Sequence, residues 1–467
     1  MSRRLNAYRG SMPRKTCLIV AMLAANSAYA GHAFHSVDAT KHHDAQPVTR
    51  SPVNCNDAGP GSLRDAIANA PSGSTIDLTQ MACSEITLIS GEIKVTAGYL
   101  KLMGPGADAG SNSHLTIYGG ASHGYRNRIF DAGGTFIVSG LKLADARYEG
   151  FGPSSARGGC INAAGDLTIE DSILVGCEVD ALAGSSGLAF GGAIYAQKDV
   201  SITNSIISSN VAYSTTGVAY GGGIAASGFV TIQNSTIVYN KAFAPQGIGG
   251  GLNVVGWGDV SLFGSTISGN EADFDGGMRI NTLGATTITN STLSGNYAAM
   301  YVGGASFQSS VVTMKNSTVT RNAAYLANFG VGIYSYGDVT AQSTILADNV
   351  AVVAGTTLDV VAPTIEGSAN LITSASTGVP PNTITACPRL MALWDNGGST
   401  ATHALIAGSP GIDSGSNTVP LDTDQRGELP FKRVFGASAD VGAYEWQGEL
   451  DDRMFKSAFE PQCDRYD

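Results

Sequence analysis

One twelve-residue pattern, clearest as DVSITNSIISSN at 199–210, recurs seven times in this chain and restricts its possible folds more than any other feature. The copies start at residues 166, 199, 229, 259, 285, 311 and 338, with spacings of 33, 30, 30, 26, 26 and 27 residues. Periods of this size belong to solenoids and related repeat architectures. Apolar residues hold the second and fourth places (Val200 and Ile202, Val230 and Ile232, Val260 and Leu262) and the ninth (Ile207, Ile237, Ile267, Leu293, Val319, Leu346). Alternation with period two describes a strand with one buried face. The sixth place is usually Asn (Asn204, Asn234, Asn290, Asn316), and six of seven copies end in Asn: Asn210, Asn240, Asn270, Asn296, Asn322 and Asn349. Asn tolerates the left-handed conformation and bonds nearby backbone, so both places are expected to bend the chain.

Between the copies lies a Gly pair followed by another alternating strand: GGAIYAQ at 191, GGGIAAS at 221, GGLNVV at 250, GGMRIN at 276 and GGASFQ at 303. The unit reads as strand, Asn bend, strand, Asn bend, variable loop, Gly pair, strand. It has no room for a helix, so the expected fold is all-β: a parallel β-helix of 26–33 residues per repeat, its Asn residues stacked in ladders. Leucine-rich repeats lack support, because their Leu spacing and fixed length are missing.

With 14% charged and 43% hydrophobic residues, the 467-residue chain does not read as disordered, and its 60 glycines suit a turn-rich solenoid. The first thirty residues read as an export signal: a basic region with Arg3, Arg4, Arg9, Arg14 and Lys15, the apolar core CLIVAMLAA, and Ala28-Tyr29-Ala30. Its removal takes the net charge from −11 to −16, which disfavours nucleic acid as a partner. No later stretch is long and apolar enough to span a bilayer. Six of the seven cysteines remain in the expected mature chain, and proximity favours Cys55 with Cys83 and Cys160 with Cys177, leaving Cys387 and Cys463. None has metal-site spacing.

Residues 31–52, with four of the seven histidines, read as a disordered linker. Next, GSLRDAIANA at 61–70 places Ser62 before Asp65 as a capping box, with Leu63, Ala66, Ile67 and Ala70 on one face. A short helix near 62–70 is expected to lid the open end of a solenoid covering 53–386. From 387 to 446 the pattern changes, and 447–467 reads as a tail.

Four groups in that closing segment carry a likeness: Asp395-Asn396-Gly397-Gly398; His403-Ala404-Leu405 with Gly408-Ser409-Pro410 and Ile412-Asp413; Thr423-Asp424-Gln425-Arg426-Gly427; and Asp440-Val441-Gly442-Ala443-Tyr444-Glu445. With them the chain resembles exported bacterial β-helix proteins of the choice-of-anchor Q type. Ser62-Leu63-Arg64-Asp65-Ala66-Ile67 resembles the Cys-Ser-Leu-Arg-Glu-Ala start of such solenoids, with Gly61 and Asp65 in place of the Cys and the Glu. The resemblance implies a right-handed, pectin-lyase-like β-helix and no established activity. The closing DDRMFKSAFEPQC is similar to a tail ending many exported Gram-negative proteins, with Ala458 where Gly is usual.

The two outward columns of the repeat differ in kind. Third-place residues Thr168, Ser201, Thr231, Ser261, Thr287, Thr313 and Thr340 form a uniform hydroxyl ladder, which reads as structure. After the Gly pair the outward places hold Asn162, Tyr195, Ala225, Asn253, Arg279, Ser306 and Tyr334, with Gln197, Asn281, Gln308 and Tyr336 one step on. Stacking does not require that variety. Tyr195, Asn253, Asn281, Gln308, Tyr334 and Tyr336 are therefore the expected ligand-binding residues. The loop aromatics Tyr213, Tyr220, Phe243, Phe274, Tyr297, Tyr301, Tyr325 and Phe329 extend a surface on which sugar faces can stack.

Chemistry has one candidate. Glu271, Asp273 and Asp275 precede Arg279, and Asp273, Asp275 and Arg279 offer paired carboxylates beside a base, as glycan cleavage needs. No adjacent coil supplies a matching carboxylate at its outward strand places after the Gly pair. Asp422, Asp424 and Arg426 read as tethers for the closing segment, and the sequons at Asn234, Asn290 and Asn316 follow from the Asn bend. His114, His123 and His403 have no nucleophile at motif spacing. The expected function is a monomeric exported scaffold binding glycans or a partner surface; the alternative is a polysaccharide lyase or glycoside hydrolase. No cofactor is expected, except calcium for a lyase.

Overall fold

A computed structural model describes residues 46–107, 115–150, 155–182, 187–309, 311–326, 330–353, 357–418 and 420–448. The expected signal segment, most of the linker, most of the tail, His114, Phe329 and Cys463 lie outside them. The chain winds as a right-handed parallel β-helix. Three long parallel sheets run its length, with twelve, eleven and ten strands. The first half of each twelve-residue pattern supplies one sheet (Val200–Thr203), the second half the next (Ile206–Ser208), and the stretch after the Gly pair the third (Ile224–Ala226). The period-two apolar places point inward: Val200, Ile202, Ile207 and Ile224 belong to one continuous buried cluster with most of their counterparts, the Val200 place being taken by buried Thr286 in one coil.

Both predicted columns are in register. Thr168, Ser201, Thr231, Ser261, Thr287, Thr313 and Thr340 pair consecutively. So do Asn162, Tyr195, Ala225, Asn253, Arg279, Ser306 and Tyr334.

The two Asn places do different work. Asn204, Asn234, Asn290 and Asn316 adopt φ of 46–52°, the left-handed bend expected of them. The twelfth-place Asn residues do not; the left-handed residue there is the one before, such as Ser209, Tyr239 or Arg321. Each twelfth-place Asn instead points inward as a rung: Asn240 Nδ2 and its backbone N–H donate to Asn270 Oδ1 at 3.0 and 2.9 Å. The ladder starts at Cys177 N–H, which donates to Asn210, and ends at Asp359, whose Oδ1 accepts both donors of Asn349. Every amide in the column points the same way, so a carboxylate closes the positive end of a stack of dipoles. A second ladder escaped the sequence reading: seventh-place serines Ser172, Ser205, Ser235, Ser265, Ser291 and Ser317 each accept from the backbone N–H of the coil before.

The expected loop between Asn and the Gly pair is a correction. In the coils up to the Gly249 turn it forms two further strands, such as Val211–Ser214 and Val218–Tyr220, in eight- and four-stranded parallel sheets. Ala156, Ala189, Ala212, Ala219 and Ala242 pack these two sheets together in a separate buried cluster. Small side chains allow that close approach, and so does the Gly pair: a Cβ on Gly222 would lie 2.3 Å from the carbonyl carbon of Lys241.

Helix α1 (Leu63–Ala68) is capped by Ser62 Oγ, which accepts from Asp65 N–H, and buries Leu63, Ala66 and Ile67. Arg64 ties it to the first coil through Gly91 O, Glu92 O and Asp57. Thr49–Arg50 pairs with Thr75 and Ile76, so the end of the segment read as linker joins the first sheet edge. Disulfides link Cys55 to Cys83 and Cys160 to Cys177, as proximity suggested. Cys387 is disulfide-bonded as well.

Residues beyond Cys387 return along the solenoid as a clasp. It contains an antiparallel hairpin, Leu390–Trp394 with Thr402–Leu405, and docks on the outer face of the sheet that follows the sixth-place bend, the bend sheet of Ile206–Ser208. The eighth-place column is what it reads: Thr266 Oγ1 donates to Ala401 O, Thr292 Oγ1 to Gln425 Oε1, and Thr318 Oγ1 accepts from Ala443 N–H. Asp424 and Arg426 are fully buried and paired at 2.7 Å, with the guanidinium 3.9 Å from both the Phe431 and Tyr444 ring centres. Their partners belong to the closing segment itself, with Arg426 Nη2 donating to Glu445 O and Asp424 Oδ2 accepting the Glu445 N–H, so they hold its turns together, while Gln425 between them reaches the solenoid.

Candidate functional site

Among the described residues no returning segment covers the flank formed by the Gly-pair strands, and its register positions set the site. The inner row is Tyr195, Ala225, Asn253, Arg279, Ser306 and Tyr334. One step outward, Val255 pairs with Asn281, and Gln308 and Tyr336 hold the same place on later coils. At the turn into the next strand sit Phe229, Trp257 and Leu283. The sequence reading missed this last row. Trp257 is 58% exposed and Tyr336 61%, while Phe229 packs edge-on to Trp257 at 5.0 Å and Tyr334 edge-on to Tyr336 at 5.1 Å. Single apolar residues next to a glycine carry little periodicity, and only their recurrence in three successive turns could have singled them out.

Large exposed rings held edge to face, beside amides that both donate and accept, offer stacking and hydrogen bonding on one strip. Successive coils step by ~4.8 Å, the spacing between hydrogen-bonded strands, so an extended ligand along the axis meets a fresh coil at each step.

The expected binding residues divide. Asn281, Gln308 and Tyr336 lie on the strip; Tyr334 stands beside Tyr336. Tyr195 sits deeper, with Phe190 at 5.6 Å and the Arg157 guanidinium 5.0 Å from its ring centre. Asn253 is buried, and its Oδ1 has no hydrogen-bond partner. The loop aromatics also divide: Phe190 and Tyr220 stack at 5.0 Å on one extra sheet, and Tyr213 and Phe243 at 5.5 Å on the other.

Of Asp273, Asp275 and Arg279, the structure pairs Asp275 with Arg279, and both carboxylates are engaged. Asp273 Oδ2 accepts the Gly247 N–H at 2.8 Å. Asp275 is 2% exposed, and its Oδ2 lies 3.5 Å from Arg279 Nη1. Burial pushes its carboxyl up to about 6, against the pull of Arg279 and a hydrogen bond with Ser306. Glu271 instead pairs with Lys241 at 2.8 Å.

A Ser–His pair does form, across 109 residues: Ser294 Oγ lies 2.7 Å from His403 Nε2, and His403 Nδ1 2.7 Å from Met391 O. Because a carbonyl only accepts, Nδ1 carries the proton and Nε2 accepts from Ser294. Burial, aided by Arg321, lowers His403 to about 3. An imidazole that resists protonation this strongly is a poor general base, so the pair fastens the clasp to the coil.

Among the described residues there is no group of three or more His, Cys, Asp or Glu side chains placed to hold a metal ion, and no helix long and apolar enough to cross a membrane. No protein-family model matches the sequence, and no curated protein matches it. Among solved structures the chain is similar to pectate lyase Pel9A, at 13% identity and a TM-score of 0.40, over 86% of this chain and 97% of that one. A likeness of this size carries no inference about activity.

Proposed function

We propose that this protein is an exported scaffold that binds glycans along the Gly-pair flank. The observation that supports it is a strip with the exposed rings of Phe229 and Trp257 on two neighbouring coils, Asn281 and Gln308 on the next two, and exposed Tyr336 beside half-buried Tyr334 on the coil after those. Stacking on sugar faces uses the rings, and hydroxyls pair with the amides. Two disulfides suit an oxidising compartment and so an extracellular site of action. Glycan-array binding without release of reducing ends or unsaturated products supports this reading; no binding to any glycan contradicts it.

A second reading, a polysaccharide lyase or glycoside hydrolase, rests on Asp275. A carboxyl near 6 beside a guanidinium is tuned for proton transfer. Its burial and the engagement of Asp273 weigh against contact with a substrate. Screening pectins and other acidic polysaccharides for ultraviolet-absorbing products, with and without calcium, separates the two: product release abolished by Asp275→Asn establishes the enzyme.

A further inference from the structure

Where the clasp meets the solenoid, the eleventh-place residues are Tyr239, Gly269, Gly295 and Arg321, all left-handed at φ of 55–64°. The two glycines cut a notch into an otherwise filled column. The Tyr239 ring leans over the first, where a Cβ would fall 2.6 Å from it, while a Cβ on Gly295 would meet nothing closer than 4.0 Å. Arg321 forms the opposite wall, and Leu393 and His403 from the clasp close the back. The resulting cavity, about 260 Å³, is also lined by Ser268 and Ser294.

Its polar groups are unevenly committed. Arg321 Nη2 donates to Leu390 O, but its Nε–H is buried with no hydrogen-bond partner. Ser294 is held by the neutral His403, and the carboxylate of Asp348, one coil on, attracts Arg321 and is the charge a ligand must compete with. A cavity lined by a guanidinium with an N–H that has no hydrogen-bond partner and, across two glycines, by a tyrosine ring matches a carboxylate on a flat or apolar body.

We propose that this notch binds a small organic carboxylate, its anionic end on Arg321 and its body over Gly295 and Gly269 toward Tyr239. The site exists only with the clasp docked, because the clasp provides its back wall. Ligand therefore stabilises the docked clasp. This inference is independent of the glycan-binding flank.

The test titrates the full-length protein with benzoate, benzamide and inorganic phosphate by calorimetry, with thermal unfolding in parallel. Benzoate should bind saturably and raise the melting temperature; benzamide should do neither. Gly295→Asn keeps the left-handed backbone, as Asn does at the sixth places, and fills the notch. It should melt like the wild type and bind benzoate at least about tenfold more weakly, a loss of about 1.4 kcal/mol. Tyr239→Ala should weaken benzoate binding too. Unchanged benzoate affinity in a folded Gly295→Asn protein, or no benzoate binding by the wild type, would overturn the proposal. Tighter binding of phosphate than of benzoate would overturn the carboxylate assignment.

Discussion

The bend flank and the Gly-pair flank are built on the same coils, yet they carry opposite kinds of side chain. On the bend flank the eighth place repeats Thr236, Thr266, Thr292 and Thr318, and from Thr266 onward the clasp covers it, leaving Thr266 and Thr292 with no exposure. The repetition there has a physical reason, since the returning segment meets a hydroxyl at three successive steps, Thr266, Thr292 and Thr318, before it packs on Ile345. On the Gly-pair flank no segment of the described chain returns, and the corresponding places hold Tyr, Asn, Arg and Ser with exposed rings beyond them. A monotonous outward column thus marks a surface the protein uses on itself. A varied one marks a surface left for something else.

The largest way to break this contrast is to remove the clasp. Arg426→Ala leaves Asp424 buried without its partner, and losing one side of a buried pair costs about 3–5 kcal/mol. Limited proteolysis should then release the clasp while glycan binding on the other flank persists. Asn270→Ala strikes both flanks together. It strips the acceptor from the Asn240 Nδ2 and backbone N–H and the donor from Ile237 O, and at about 1–3 kcal/mol for each unsatisfied group it should lower chemical-denaturation stability by several kcal/mol.

A subtler handle is pH. Burial, reinforced by Asp440, raises Glu445 to about 8. A carboxyl raised in the folded state holds a proton that the unfolded chain has lost, so its contribution to stability falls as pH rises from about 4.5 to about 8, by at most ~1.4 kcal/mol per unit. Glu445→Gln has no such slope. The melting-temperature gap between wild type and this variant should therefore narrow from pH 5 to pH 8; a constant gap would show that Glu445 stays ionised. Smallest in stability are Trp257→Ala and Tyr336→Ala, which should shift it by no more than about 0.5 kcal/mol, as exposed sites do.

Much of this was legible in the chain because repetition makes each residue testify several times. The inward apolar places, the Thr/Ser column, the capping helix and both proximal disulfides all followed from local pattern. What stayed hidden depends on contacts across long separations. Gln425 reaches Thr266, 159 residues away, and Ser294 reaches His403, 109 away, with no spacing rule to connect them. The additional strands, such as Val211–Ser214, were hidden for another reason. They are short, rich in Ala and broken by Ser and Gly, so they resemble loop until the coils stack. Twelfth-place Asn misled in part, because a residue suited to a bend also suits a buried rung, and the preceding residue takes the strain.

The most direct test is a calorimetric titration of the wild type and the Trp257→Ala, Tyr336→Ala double variant with an oligosaccharide selected by glycan array. The predicted result is saturable binding by the wild type and a loss of tenfold or more, about 1.4 kcal/mol, in a double variant whose melting temperature is unchanged. Equal affinity in the two proteins would contradict the assignment of the open flank as the binding surface.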